Sequence, residues 1–176
     1  MRIFTIPRNR IALFSRNDEG LLKDVENRGN VSLKISEDGE VEIDGSGGEE
    51  WIAEQVLMAL SYGFKPKSAF KLFGDDYFIE IINLGEACNH SEKLLKRCKA
   101  RVIGTEGKAK KRIEELSEAF ISVQGDTVAI LGEFENLRMA KEAVFRLIEG
   151  AEHSSVYAYL ETRRRKQKER ELLNDE

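Results

Sequence analysis

The chain has 176 residues, of which 41% are hydrophobic and 34% charged, a composition typical of globular proteins and unlike that of disordered ones. No apolar run reaches the roughly 20 residues that a membrane-spanning helix needs, and residues 1–8 are too short for a secretory signal, so we expect a cytoplasmic protein that does not enter membranes. The net charge of −4 argues against non-specific binding to polyanions.

The first half of the chain predicts six elements in the order strand, helix, helix, strand, strand, helix. Alternating apolar residues predict the strands, and apolar stripes that end near glycines predict the helices. The expected elements are a strand at 3–6, a short helix around 8–14, a helix from an Asp18 N-cap to near Gly29, strands at 31–35 and 41–43, and a helix from 45–48 to near Gly63. Trp51 falls on the apolar stripe of the last helix, which favours core packing over base stacking.

The second half shows the same order after a break at 65–67. The expected elements are a strand at 77–84, a helix through Leu94, Cys98 and Val102, a helix through Ile113 and Leu116, strands at 119–123 and 128–131, and an amphipathic helix at 137–148 that Gly150 ends. Along a continuous helix Cys88 and Cys98 would lie about 15 Å apart, which argues against a disulfide between them.

A direct comparison of the two halves supports an internal repeat. At an offset of 88 residues the aligned positions are 23–27 with 111–115, Leu33 with Ile121 and Ile35 with Val123. One residue fewer in the second hairpin then aligns Ile43 with Ile130 and Gly45 with Gly132. The chain is therefore predicted to contain two copies of one unit.

Two Gly-x-x-Gly patterns occur, and the repeat separates them. Residues 45–48 follow the third strand, where they only begin a helix. Residues 104–107 join the first two helices of the second unit, where glycines let another backbone approach closely and the next helix offers N–H groups to an anion. The corresponding first-unit residues 16–19, Arg-Asn-Asp-Glu, include no glycine and two acids, so we expect that copy to hold a phosphate backbone poorly.

Positive charge is concentrated beside the second pattern. Residues 1–92 hold 10 basic and 17 acidic side chains, whereas residues 93–176 hold 18 and 15. Within 93–112, nine basic residues accompany the single acid Glu106. A solvated helix face is the ordinary interpretation of such a run, but its position next to the loop favours contact with phosphate groups.

This β-α-α-β-β-α order, with Ile-Gly-x-x-Gly between the first two helices, resembles the type I KH domain, a single-stranded nucleic-acid binding module, in two copies. Segments 101–108 and 130–137, with 147–150 and 156–157, resemble the archaeal relatives of the pre-ribosomal KH family called partner of Nob. The resemblance implies an α+β fold of two tandem units, each a three-stranded antiparallel sheet packed on three helices. We accordingly divide the chain into a degenerate unit at 1–64, a linker at 65–74, the unit with the loop at 75–152, and a basic C-terminal extension at 153–176.

The resemblance also implies a non-enzymatic protein of ribosome assembly and rRNA processing, without a cofactor, that binds single-stranded RNA near the 3′ end of small-subunit ribosomal RNA. It implies contact with the endonuclease Nob and with the alpha subunit of translation initiation factor two. In KH units about four nucleotides lie in a groove while the loop clamps their backbone. The residues that this mechanism assigns to RNA are Lys99, Arg101, Val102, Ile103, Gly104, Thr105, Glu106, Gly107, Lys108, Lys111 and Arg112.

Each residue type suggests a role in that mechanism. The two glycines permit close approach of the RNA backbone. The N–H groups of 105–108 and the side chains of Lys108, Lys111 and Arg112 are expected to meet phosphates, and Val102 and Ile103 to offer apolar surface to bases. Glu106 departs from the basic residue often found in this loop, and we expect it to weaken the clamp or to point away from it.

Two alternatives stay open at this point. The chain is either an RNA-binding assembly factor or, as Glu106 suggests, a protein-interaction adaptor whose KH scaffold has little RNA affinity. The basic run at 163–170 is either a solvated extension or a phosphate-binding arm. His90 and His153 have no ligand set nearby and no catalytic arrangement of residues is visible, so we expect neither a metal site nor an enzyme.

Overall fold

A computed structural model describes residues 1–11, 14 and 19–174 of the chain. Contacts between residues divide it into two units, Met1–Tyr77 and Phe78–Glu176. Each unit contains a three-stranded antiparallel sheet in which the last strand of the sequence lies at the centre. The α+β class predicted from the sequence, with two similar sheets in tandem, is confirmed.

The first unit follows the predicted element order. Its elements are β1 (Arg2–Thr5), a 3₁₀ turn (Arg8–Arg10), α1 (Glu19–Gly29), β2 (Ser32–Ile35), β3 (Glu40–Asp44) and α2 (Gly47–Ser61). The central strand β3 pairs antiparallel with both neighbours, so that Leu33 of β2 lies opposite Ile43. The glycine pattern at 45–48 begins α2, as its place after the third strand predicts. Residues 12, 13 and 15–18 lie outside the described residues. They include part of the predicted helix around 8–14, the predicted N-cap Asp18 and most of the loop compared with 104–107.

The expectation that Trp51 packs in the core is wrong, because its side chain is 48% exposed. The buried face of α2 is centred on Ala53, Val56, Leu57 and Leu60, one position away from the stripe that the sequence suggested. Apolar residues occur on most sides of this helix, so their spacing alone leaves its rotation ambiguous. The phase is set by packing against α1 and the sheet.

The segment predicted as a linker, 65–74, is folded onto the first unit. It forms α3 (Pro66–Ala69) and a 3₁₀ turn (Phe70–Phe73), in which Ala69 and Leu72 are buried. The guanidinium of Arg28 lies 4.8 Å from the ring centre of Phe70, a cation–π contact that joins this segment to α1. Most of 65–74 is therefore part of the first unit's packing.

The second unit contains the predicted six elements and two further helices. Its elements are β4 (Tyr77–Asn83), α4 (Leu84–Ala87), α5 (Glu92–Ile103), α6 (Lys108–Ser117), β5 (Phe120–Gln124), β6 (Thr127–Glu133), α7 (Phe134–Ile148) and α8 (His153–Asn174). The sheet order is β4-β6-β5, which leaves β5 at an edge. The strand β6 is buried over Val128–Gly132, whereas its terminal residues reach the surface.

The C-terminal extension joins the core of the second unit through the first turns of α8. Val156 and Leu160 are wholly buried within the same apolar cluster as the sheet and the other helices. Further along, the Arg164 guanidinium donates to the carbonyl oxygen of Glu115 and pairs with the Glu118 carboxylate at 2.7 Å. The helix therefore lies along α6 and α7 rather than standing free.

The expectation that helical geometry separates the two cysteines is also wrong. The Sγ atoms of Cys88 and Cys98 lie 3.1 Å apart, both buried and both free thiols. Asn89 and His90 adopt left-handed backbone conformations between α4 and α5, which turns the chain back on itself. Burial, and then the neighbouring Cys98 thiol, raise the pKa of Cys88 to about 11.

A pair of equivalent hydrogen bonds supports the internal repeat at atomic detail. In the first unit the carboxylate of Glu26 accepts from the backbone N–H of Leu33 at 2.8 Å. In the second unit the carboxylate of Glu114, 88 positions later, accepts from Ile121 at 2.7 Å. Each bond fastens the edge strand of its sheet to the helix before it, so the same side chain holds the same junction in both copies.

Candidate nucleic-acid interface

The loop at 104–107 is a sharp turn that joins the C-terminal end of α5 to the N-terminal end of α6. Three of its residues have left-handed or otherwise positive φ angles, namely Gly104 (74°), Glu106 (56°) and Gly107 (74°). Gly104 donates its N–H to Ala100, and Gly107 donates to Gly104, which closes the turn. Lys108 donates its N–H to Thr105, so the amides of Gly107 and Lys108 are occupied within the turn and do not match their predicted assignment to phosphates.

The two glycines serve different purposes. A Cβ atom on Gly104 would lie 2.6 Å from the Cβ and 2.7 Å from the backbone N of Ala109, so no larger residue fits without displacing the start of α6. A Cβ on Gly107 would meet nothing within 4 Å. Gly104 is therefore required by packing, whereas at Gly107 only the φ of 74° favours glycine.

Glu106 and Lys108 form a weak ion pair at the tip of the loop. Their charged atoms lie 3.8 Å apart, and the side chains are 79% and 75% exposed. An ion pair this exposed contributes little to stability, at most about 1 kcal/mol. Lys108 can therefore leave Glu106 for a phosphate at small cost, although Glu106 cancels part of the local positive charge.

The remaining predicted cations differ in how free they are. Lys111 is exposed on α6 and Lys99 is half-buried on α5, and neither forms an ion pair with another residue in the described part of the chain. Arg112 is exposed but lies 3.6 Å from the Glu115 carboxylate and 3.1 Å from that of Glu161 on α8. The charge of Arg112 is therefore compensated by two carboxylates, whereas Lys111 is exposed to solvent.

Arg101 is used for structure rather than for contact with solvent. Its Nε donates to the carbonyl oxygen of Leu147 at 2.9 Å, and its Nη2 donates to that of Ala151. These carbonyls belong to the end of α7 and the turn after it, where a cation is favourable. The guanidinium thus ties α5 to the α7–α8 turn, and the assignment of Arg101 to a phosphate does not match this geometry.

The structure contradicts the assignment of Val102 as a surface for bases. Its side chain is fully buried in the core cluster of the second unit, where it packs beneath the sheet with Ile113 and Val144. Ile103 and Thr105 are half-buried and exposed, respectively, so both have surface to offer. Adjacent residues on a helix point about 100° apart, and only one of the pair 102–103 faces outward.

The edge strand β5 contacts α6. The Ile121 N–H on its free side is occupied by Glu114. Lys110 of α6 is half-buried and lies 3.5 Å from the same Glu114 carboxylate, so its charge is compensated as well.

Two residues outside the predicted site also border the loop. Nε2 of His153 lies 2.9 Å from the carbonyl oxygen of Arg101. Tyr157 is half-buried beside it, with the two ring centres 6.2 Å apart. Both belong to α8, whose contact with α5 and α6 has no signal in local spacing.

Membrane-spanning helices and clusters of metal ligands are both absent from the described residues. None of the helices in residues 1–11, 14 and 19–174 combines the length and the apolar character needed to cross a membrane. Within the same ranges, no three His, Cys, Asp or Glu side chains are grouped so that they could hold a metal ion.

Comparison with known proteins identifies relatives over most of the chain. A family model described as the eukaryotic type KH domain (KH domain, type I) matches residues 78–165. The KH domain-containing protein MJ0443 of Methanocaldococcus jannaschii is 38% identical over 94% of this chain and 75% of its own length. The pre-rRNA-processing protein PNO1 of Coccidioides immitis is 33% identical over 66% of this chain, but over only 46% of its own length.

A solved structure shares the whole architecture. A chain in the crystal structure of an a/eIF2alpha–aDim2p–rRNA complex from Pyrococcus horikoshii superposes with a TM-score of 0.84. It is 35% identical, and the match covers 94% of each chain. The likeness therefore extends over both units and is not confined to the half that the family model matches.

Proposed function

The chain belongs to the PNO1/Dim2-like family of type I KH-domain proteins, and on that premise we propose that it is a non-enzymatic single-stranded RNA-binding protein of ribosome assembly. The observation that carries the proposal is the loop at 104–107, in which an open glycine backbone lies between cationic helices. KH units clamp a nucleic-acid backbone with such a loop. The RNA complex of the Pyrococcus horikoshii relative supports RNA as the ligand.

Only the second unit is proposed to clamp RNA. Its contacts are the backbone of 104–108, the side chains of Lys99, Lys108 and Lys111, and the outward surface of Ile103. Phosphate contacts of this kind position the strand, whereas base contacts along the groove select it. In this scheme Val102 and Arg101 support the site from inside the unit.

The proposed target is the 3′ end of small-subunit ribosomal RNA. The name of the PNO1 relatives, which are pre-rRNA-processing proteins, and the rRNA in the Pyrococcus horikoshii complex support a ribosomal RNA ligand. The same complex supports the alpha subunit of initiation factor two as a partner. Contact with the Nob endonuclease is proposed from the family resemblance.

A titration of fluorescent RNA with the full chain tests the proposal. The probes are a single strand from the 3′ end of small-subunit rRNA, the same strand in shuffled order, and the duplex. We expect the single strands to bind more tightly than the duplex, and affinity to fall as salt is raised. Equal binding of single strand and duplex would refute a KH-type groove, and equal binding of the native and shuffled strands would refute the rRNA target.

One observation favours a second candidate function, that of a protein adaptor. The ring of Phe134 is 55% exposed and meets the 40% exposed ring of Phe78 edge-to-face, with centres 6.2 Å apart. The Arg138 guanidinium lies 5.5 Å from the centre of the Phe134 ring. Exposed aromatic and arginine side chains are enriched at protein interfaces. If the chain binds no RNA at low salt, the adaptor is the better interpretation.

A further inference from the structure

A cavity of about 430 Å³ adjoins the 104–107 loop on the side where α8 begins. This volume lies within the range of roughly 300–1,000 Å³ that is usual for small-ligand sites. The cavity is lined by the end of α5, the start of α6 and the first two turns of α8. It shares Gly104 and Thr105 with the loop and Lys108 with the start of α6, so the cavity and the loop are adjacent. We call this cavity the α8 pocket.

The residues around the α8 pocket suit a nucleobase attached to a phosphate. The cationic side chains of Arg97 and Lys108 lie among the lining residues, and no acidic side chain does among the residues described. Arg101 also lines the pocket, but its guanidinium is bound to carbonyl oxygens. The rings of His153 and Tyr157 form an aromatic wall, tilted by 57° to each other. Bases stack on aromatic rings whatever their identity, and cations attract the adjoining phosphates.

The polar atoms of this wall have defined roles. A carbonyl oxygen only accepts, so the 2.9 Å contact to Arg101 O requires that Nε2 of His153 carries a hydrogen. When the ring is neutral, its Nδ1 is then an acceptor. Burial raises the pKa of the Tyr157 hydroxyl, which therefore stays protonated and able to donate. The wall thus carries a donor, the Tyr157 hydroxyl, and an acceptor, Nδ1 of the neutral His153 ring.

Two contacts hold the wall in place before any ligand arrives. Arg101 bonds to the carbonyl of Leu147, which fixes α5 against the turn that leads into α8. Arg112 pairs with Glu161, which fixes α6 against α8 itself. A preformed pocket requires less ordering on binding than a flexible surface does.

We propose that the α8 pocket binds one nucleobase of the RNA strand, that of a nucleotide just outside the groove of the KH unit. This inference rests on the proposed function, because the loop must first hold the neighbouring phosphate. Two of the three walls belong to the helices that flank the loop. The third is α8, which lies outside the six-element KH unit, so the C-terminal extension lengthens the RNA site by one base.

Affinities of short RNAs for the full chain test this assignment. The reference probe is a single-stranded tetranucleotide. The other probes extend it by one nucleotide at the 5′ or the 3′ end, and the added nucleotide either carries its base or is abasic. Since the abasic form keeps the phosphate, the comparison isolates the base from its charge. For the wild-type protein we expect the added base to raise affinity at least about fivefold at one end, as stacking on one aromatic ring does.

Tyr157→Ala is expected to abolish the difference between base and abasic RNA while leaving tetranucleotide affinity unchanged. Tyr157→Phe, which keeps the ring, should preserve most of the difference. The matched control is Tyr159→Ala, since Tyr159 is half-buried on the same helix but packs on Arg146 instead, 3.9 Å from its guanidinium. If Tyr157→Ala does not fold, Ala100→Leu tests the same idea, because Ala100 lines the pocket from an exposed position.

The outcomes separate the inference from the function on which it rests. Binding of no RNA by the wild-type protein would overturn the proposed function. Normal tetranucleotide binding, with equal affinity for base and abasic RNA at both ends, would overturn the α8 pocket alone. An added-base effect that survives both Tyr157→Ala and Ala100→Leu would place the base elsewhere and equally overturn it.

Discussion

Substitution of Gly107 by aspartate is the sharpest perturbation that the structure allows at the proposed clamp. A Cβ there meets nothing within 4 Å, so the change adds a carboxylate to the surface without a clash. At Gly104 the same change would drive a side chain into Ala109 and confuse loss of binding with loss of structure. Gly107→Asp therefore alters what the loop presents and little else.

The expected cost to folding is small, and the expected cost to binding is large. A φ of 74° disfavours a non-glycine residue by about 1–2 kcal/mol, though Asp tolerates it better than most, and Glu106 and Glu118 already adopt 56° and 57°. A carboxylate about 4 Å from a phosphate repels it by roughly 1 kcal/mol in water and 4 kcal/mol at a partly buried site. We expect at least about a tenfold loss of RNA affinity.

The assay is fluorescence anisotropy with single-stranded rRNA at fixed salt, accompanied by thermal unfolding of each variant. Gly107→Asn adds a side chain of the same shape without the charge. It therefore separates the effect of charge repulsion on RNA affinity from the effect of side-chain size. Gly47→Asp adds the same charge at a positive φ of 36°, in the glycine pattern that begins α2, where a Cβ also meets nothing within 4 Å. It should leave RNA affinity unchanged.

Wild-type affinity in a folded Gly107→Asp protein would refute the clamp at this loop. An equal loss of affinity in Gly47→Asp would mean that total charge, rather than the loop, controls binding. Either result would contradict the assignment of RNA to the second unit.

Three further predictions follow from the charges and burial of single residues. Glu106→Asn removes the exposed carboxylate and keeps a residue that tolerates a φ of 56°, so RNA affinity in the same titration should rise by about fivefold. A fall in affinity would contradict repulsion between Glu106 and the RNA phosphates. Lys111→Ala should reduce the slope of log affinity against log salt by about 0.7, whereas Lys34→Ala in the first unit should not; equal slopes for wild type and Lys111→Ala would exclude this phosphate contact. Because burial raises the pKa of Cys88 to about 11, alkylation at pH 8 should be slow in the folded protein and fast in denaturant, as followed by mass spectrometry.

The sequence predicted the fold well where local patterns and the repeat agreed. Alternating residues located β2, β3, β5 and β6, and glycines located the ends of helices. The 88-residue offset also aligned Glu26 with Glu114, and their equivalent hydrogen bonds explain why a glutamate recurs at this position. Comparison of the halves was enough to separate the two glycine patterns, because position in the unit distinguishes a loop from a helix start.

What the sequence could not predict depends on side-chain direction and on contacts distant in the chain. Val102 and Ile103 are adjacent and both apolar, and only packing decides that Val102 faces the core. Arg101 and Arg112 look alike in the basic run, yet one is bound to carbonyls near residue 150 and the other pairs with Glu161. The partners lie about 50 positions away, beyond any local pattern.

The cysteines and the C-terminal helix show the same limit. A ten-residue spacing suggests separation along a helix, but the left-handed Asn89 and His90 bring the two thiols together. The run at 163–170 is strongly basic, and its composition gave no sign that α8 is anchored upstream by Val156 and Leu160. That anchoring is what brings Tyr157 beside the loop and creates the α8 pocket.

Photocrosslinking tests the central claim most directly, namely that this chain holds RNA through one clamp, in its second unit. The full chain is irradiated with single-stranded rRNA that contains 4-thiouridine, and the modified peptides are located by mass spectrometry. We predict crosslinks within residues 99–112, with those at Gly107 lost in the Gly107→Asp protein. Crosslinks confined to residues 1–77 would contradict the account, because they would place the RNA on the unit that lacks the glycine loop.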